Sequence, residues 1–175
     1  MEKKLRMNIY EEFEKVITNK KPIIGYYDVN VEGSGDMYPK GANMIHTIRQ
    51  VINDDAKWKS ILRGLNSTFY HQTVTTKQIE DYISTQAGID FSNVFNQYLR
   101  TPNVPTFEYY FKDQKLVYHW INCVEKFDLP VKVTLNGVET WLKPTPDWNA
   151  VDAKGDKPTI IVDKNFYITE FNITN

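Results

Sequence analysis

The spacing of apolar residues changes once along the chain. Up to about Leu99 they recur three and four positions apart, and from Thr106 they alternate. Ile9, Tyr10, Phe13, Val16 and Ile17 share one stripe, with Glu11, Glu12, Glu14 and Lys15 on the opposite face, which predicts an amphipathic helix ending near Asn19, ahead of Pro22. Residues 23–31 are apolar and β-branched and break at Gly33 and Gly35, the pattern of an extended connector. Four helical stripes follow. The first carries Met44, Ile45, Ile48, Val51 and Ile52, and the second Trp58, Ile61, Leu62, Leu65 and Phe69 behind an Asp54 or Asp55 cap. The third carries Ile79, Tyr82 and Ile83 behind Thr75 and Gln78 at capping-box spacing, with Gly88 as its stop. In the fourth, Asp90 is expected to cap a short helix carrying Phe91, Val94, Phe95, Tyr98 and Leu99, and Pro102 and Pro105 close it.

Alternation then takes over. Phe107, Tyr109 and Phe111 alternate with Glu108, Tyr110 and Lys112, Asp113-Gln114 reads as a turn, and residues 115–121 return as a second strand. Val131, Val133 and Leu135 lead into Asn136-Gly137, a type I′ hairpin signal because both turn positions need positive φ, and residues 138–142 form the partner. Pro144 and Pro146 begin a loop expected to cover Trp148, and residues 159–162 and 167–173 read as two further strands. Helices followed by strands, without alternation between them, predict an α+β chain rather than a parallel sheet. The expected division is a helical subdomain over residues 1–103 and a small, Ig-like antiparallel β-sandwich over residues 104–175. Each helical stripe covers one face, so the helices pack on one another or on a surface the chain does not supply.

Composition narrows the classes. With 41% hydrophobic and 14% aromatic residues the chain can build a packed core. Its 21 basic and 22 acidic residues leave no cationic face that would suggest nucleic acid as a partner. Cys123 has no second cysteine to bridge and reads as a small buried hydrophobe. The charged start, Met1 to Arg6, is followed by no apolar signal region, and no run is long enough to span a membrane.

The stretch that suggests chemistry is Gly33-Ser34-Gly35-Asp36-Met37-Tyr38-Pro39-Lys40-Gly41-Ala42, a polar loop that runs into an apolar helix with a tyrosine at the junction. Its glycines lack the Walker spacing of a phosphate cradle and read as a hinge, expected to be mobile; Lys40 reads as a solvated charge. Tyr38-Pro39-Lys40-Gly41-Ala42 resembles a motif of the zinc aminopeptidase family that contains aminopeptidase N. Residues 76–82, Thr-Lys-Gln-Ile-Glu-Asp-Tyr, look like that family's threonine-led helix, and residues 87–99 resemble its Gly-x-Asp element ending in Phe-x-Gln-aromatic, with Pro105 near the family's entry into a β domain. The resemblance runs from about Ile23 to the end. Pro39, Tyr98 in place of the usual tryptophan, and Asn103-Val104 in place of a glycine before proline mark a divergent branch.

The resemblance implies peptide hydrolysis at the N-terminal residue of a peptide substrate, zinc held by two histidines and a glutamate, and a tyrosine, matched by Tyr38, that donates to the oxyanion. It also implies that Gly41 and Ala42 let the helix start lie close to neighbouring backbone. The family's H-E-x-x-H is missing: His46, His71 and His119 each lack the adjacent glutamate and a second histidine four residues on. The expectation is therefore a C-terminal fragment of a zinc metallo-aminopeptidase, with no metal or cofactor of its own, inactive alone, and separated from the N-terminal catalytic half of its parent. Zinc belongs to the parent, which could be exported although no signal lies in this chain. An apolar helical face would then be exposed, to be covered by the missing half or by a second copy. The alternative is a non-catalytic sandwich that binds peptide or glycan, with Trp58, Trp120, Trp141, Trp148 and the tyrosines as an aromatic platform; at these spacings the same residues also suit a core.

Overall fold

Local chemistry marks most helix ends. The computed structural model describes residues 14–25 and 34–173. Its helices are α1 (Met37–Ile52), α2 (Asp55–Thr68), α3 (Thr76–Ala87) and α4 (Ser92–Arg100). Asp54 starts α2 by accepting from the Lys57 amide. At α3 the expected capping box forms: the Thr75 hydroxyl accepts from the Gln78 amide, and the Gln78 side chain accepts from the Thr75 amide at 2.8 Å. Gly88 ends α3 at φ +68°, a left-handed conformation in which its lack of a Cβ carries no penalty. The cap position of α4 is Phe91 rather than the expected Asp90, which stands one residue earlier and still accepts from the Ser92 amide at 2.8 Å, satisfying one free donor at the helix start. Gly64 has a packing role instead. A Cβ there would lie 2.0 Å from the Tyr82 hydroxyl, so the glycine makes room for α3 against α2. Most of the expected first helix lies outside the described residues, of which 14–16 are helical. Of the connector, Ile24 donates its amide to the Leu99 carbonyl at 3.1 Å, and its later part lies outside the described residues.

The β half is two sheets. One has the order β5-β2-β1-β7, from β1 (Thr106–Lys112), β2 (Lys115–Ile121), β5 (Asn149–Asp152) and β7 (Thr169–Asn172). The other has the order β4-β3-β6, from β3 (Val131–Leu135), β4 (Val138–Leu142) and β6 (Ile160–Val162). The alternation places Phe107, Leu116, Tyr118 and Trp120 of the first sheet and Val131, Val133 and Leu142 of the second in the core. Both hairpins turn on residues of positive φ, Asp113 (49°) with Gln114 (58°) and Asn136 (49°) with Gly137 (80°). The fold is α+β with a sandwich of largely antiparallel sheets. It departs from the expectation in two places. β7 runs parallel to β1, Thr106 opposite Thr169, which an alternation pattern cannot reveal. The loop after Pro144 contains strand β5, whose Asn-Ala-Val-Asp sequence has little β preference and is held by pairing with β2.

Side-chain hydrogen bonds join the helices to the sandwich loops. Tyr98, fully buried on α4, donates its hydroxyl to the Tyr167 carbonyl at 2.6 Å, and the Tyr167 amide donates to the Thr47 hydroxyl of α1 at 2.9 Å. Gln97, also fully buried, accepts from the Val124 amide at 2.7 Å and donates to the Asn103 carbonyl at 3.0 Å. These loop groups lie outside any ladder, and left unpaired in the interior each would cost about 1–3 kcal/mol. Tyr98→Phe, which keeps the ring and removes the donor, is therefore expected to lower the unfolding free energy by about 1–3 kcal/mol, with the urea m-value unchanged. An unchanged midpoint would show that the hydroxyl bond does not hold the two halves together.

Candidate functional site

Tyr38 is the second residue of α1 and is 80% exposed. The expected loop-to-helix junction thus lies two residues earlier, and the tyrosine stands within the first turn. Pro39 is compatible with that position, because the first amides of a helix have no partner within it. The Lys40 amide closes the turn on the Asp36 carbonyl at 2.9 Å.

The charged residues two positions either side of Tyr38, Asp36 and Lys40, are buried. Asp36 is 2% exposed and accepts from the Thr18 amide at 2.9 Å, the Asn19 amide at 2.7 Å and the Thr18 hydroxyl. Burial pushes its carboxyl up, but the hydrogen bonds from Thr18, Asn19 and Ser34 together hold it below the ordinary carboxylate value. Lys40 is fully buried, contrary to its reading as a solvated charge. Its Nζ donates to the Thr101 carbonyl at 3.0 Å and the Pro102 carbonyl at 3.1 Å, in the joint after α4. Burial lowers the pKa of its amine to about 8, with the Asp36 carboxylate acting in the opposite direction. The expected hinge also takes a defined form at its described end, where the Ser34 hydroxyl accepts from the Asp36 amide at 3.2 Å and the Ser34 carbonyl from the Met37 amide at 3.0 Å. The close approach expected of Gly41 is not found: among the described residues nothing lies within 4 Å of where its Cβ would stand.

The histidines stay apart. His46 on α1 is buried, with Nε2 at 3.2 Å from the Asn165 side-chain oxygen. His71 follows α2 in an exposed turn, edge-on to Tyr70. His119 on β2 lies between the Glu108 carboxylate, 2.7 Å from Nε2, and the Pro146 carbonyl, 3.0 Å from Nδ1. Among the described residues no three His, Cys, Asp or Glu side chains group as metal ligands, so this part of the chain does not fit a zinc ion. Cys123 is half-buried and burial raises its thiol, which suits a packing role.

The aromatic residues divide. Trp58 and Trp120 belong to the core, while Trp141 and Trp148 are 36% and 48% exposed. Trp148 is not covered by its loop as expected; it lies flat on His119, with ring centroids 3.6 Å apart and an interplanar angle of 21°, and meets Tyr110 edge-on. The Glu108–His119 pair was not picked out from the sequence, although the hairpin register that sets the two residues opposite each other could have suggested it. On the helical half Val16, Leu62 and Tyr70 expose apolar side chains together with Tyr38.

No protein-family model matches the chain, and no curated protein matches it. Among solved structures it is similar to the crystal structure of Legionella pneumophila aminopeptidase A in complex with aspartic acid, with a TM-score of 0.50 and 12% identity over 81% of this chain. The chain spans 18% of that protein's length. At this identity the likeness is one of fold alone, to part of that protein.

Asp36 and Lys40 both have folded pKa values below their unfolded ones, so each makes stability rise with pH, in two separate ranges. Folded Lys40 gives up its proton near pH 8 and an unfolded lysine near 10.5, so between these values the unfolded chain binds more protons and Lys40's contribution to stability rises with pH. The stability contributed by Asp36 is complete above 3.8 and is lost as pH falls through its lower folded value. Urea titrations across both ranges should show the alkaline rise removed by Lys40→Met and the acid limb flattened by Asp36→Asn. An alkaline slope unchanged in Lys40→Met would contradict a buried amine.

Proposed function

We propose that the chain is part of a zinc metallo-aminopeptidase of the aminopeptidase N type, and that Tyr38 is its oxyanion donor. The observation that carries this reading is the exposed phenol of Tyr38 in the first turn of α1, within Tyr-Pro-Lys-Gly-Ala and between two buried, hydrogen-bonded charges. Peptide hydrolysis passes through a tetrahedral intermediate whose oxygen carries developing negative charge. A phenol O–H aimed at that oxygen stabilises the transition state more than the ground state, and such a donor is typically worth ~3 kcal/mol of barrier. An exposed donor on an anchored turn suits a group that meets its substrate at a surface formed with another part of the protein. In this reading residues 1–103 are the end of the catalytic domain and residues 104–175 a sandwich domain beside it. The metal, the general base and the substrate pocket belong to residues outside this chain, because the histidines here do not fit zinc.

The expected outcome is that the 175-residue chain releases no N-terminal residue from aminoacyl amides, with or without added zinc, and that the parent reading frame encodes H-E-x-x-H upstream. In a protein carrying both parts, Tyr38→Phe should lower kcat about 100-fold to 1,000-fold with KM little changed. A complete gene beginning at Met1, or zinc-dependent turnover by the chain alone, would sink the proposal.

One observation favours a second reading, a non-catalytic module for peptide or glycan. Trp148 presents a solvent-facing indole whose other face is stacked on His119. Binding of an oligosaccharide or peptide by the chain, lost in Trp148→Ala, would support it, and a panel of both classes giving no binding would count against it.

A further inference from the structure

Resting on that reading of Tyr38, we propose that Lys40 is a positioning residue for it: its buried ammonium ties the first turn of α1 to the joint after α4 and so sets where the phenol stands.

Burial of this lysine calls for a reason. Lysine loses several rotatable bonds and most of its hydration when enclosed, and an apolar residue of similar length would fill the same space without either loss. The ammonium has instead two carbonyl acceptors, Thr101 at 3.0 Å and Pro102 at 3.1 Å. Both lie more than 60 residues further along the chain, so the contact fixes the helix start relative to a distant segment and does nothing for the helix itself. Asp36, one turn earlier, ties the same turn to the Thr18 and Asn19 amides. The first turn is thus held on both sides of Tyr38, and the two ties point to different segments.

The flanks make this a matter of position rather than of packing. Tyr38 is 80% exposed and Gly41 has open space beside it, so among the described residues packing around the tyrosine does not define its place. Two side-chain anchors, on the residues two positions before and two positions after, then determine the direction in which its Cα–Cβ bond leaves the helix. An oxyanion donor misplaced by about 1 Å loses much of its effect, which gives such anchoring a chemical value. Asp36 is the groups' charged neighbour on the same turn and keeps the ammonium from being an isolated buried charge.

The test uses the chain itself and needs no activity, so its failure would bear on Lys40 while failure of the gene or assay tests would bear on the functional reading. Amide hydrogen exchange is compared between the native chain, Lys40→Met and Tyr38→Phe. Lys40→Met should speed exchange of the Gly41 and Ala42 amides at least about tenfold, the effect of losing two charge-assisted bonds, and move the Tyr38 Cα resonance toward its random-coil position. Amides of α4 and β1 report global unfolding separately, so a general loss of stability is recognised by a common change at all sites. Tyr38→Phe, which keeps both anchors, should leave the first turn as it is. Native exchange at Gly41 and Ala42 in Lys40→Met, or acceleration no greater there than in α4 and β1, would overturn the proposal.

Discussion

Backbone groups that leave regular structure inside a folded chain must find other partners, and this requirement shapes the join between the two halves. Tyr167 sits in the segment ahead of β7 and has no ladder to enter. Its carbonyl accepts from Tyr98 on α4 and its amide donates to Thr47 on α1, so one residue of the sandwich is held by two helices. Gln97 does the same for the Val124 amide and the Asn103 carbonyl. A buried hydroxyl or amide serves here where an apolar side chain would leave the loop groups unsatisfied. A tryptophan at this position would carry its one donor in a different place; the tyrosine's hydroxyl reaches the Tyr167 carbonyl directly.

The same requirement, applied to charges, organises the start of α1. Asp36 and Lys40 are both removed from water, and each is matched by groups of the sign it needs: amides and a hydroxyl for the carboxylate, carbonyls for the ammonium. Their pKa values move in the same direction for different reasons. In Asp36 hydrogen bonding outweighs burial, whereas in Lys40 burial outweighs the neighbouring carboxylate. Tyr38 lies between them with its ring in solvent. The arrangement concentrates rigidity at the base of the residue and leaves the hydroxyl accessible, which suits a group that acts on something arriving from outside.

Much of the fold was legible in the residues. Periodicity located four helices and six of the strands, and turn chemistry placed the hairpins at Asp113-Gln114 and Asn136-Gly137. The failures share a cause. Strand β5 has no strong pattern of its own and exists because β2 offers it an edge; the parallel pairing of β7 depends on how a connection crosses the sandwich; and Trp148, in a loop, took its place from His119, a partner on β2. None of these is a property of a local window. At the candidate site the motif singled out Tyr38, and nothing in the motif distinguishes Lys40 from a surface lysine. Its surroundings, Thr101 and Pro102, come from more than 60 residues away.

What the sequence determined by itself are the local decisions: where helices start and stop, which faces are apolar, and where the chain passes from a period near 3.6 to a period of 2. These depend on neighbours a few residues apart, whose identities are written side by side. Tertiary structure decided which polar residues would be enclosed. Lys40, Asp36 and Gln97 have side chains that could equally have faced water, and their burial followed from where distant carbonyls and amides came to rest without partners. The pairing of a charge with an acceptor is a contact in space, and only the folded chain brings its two members together.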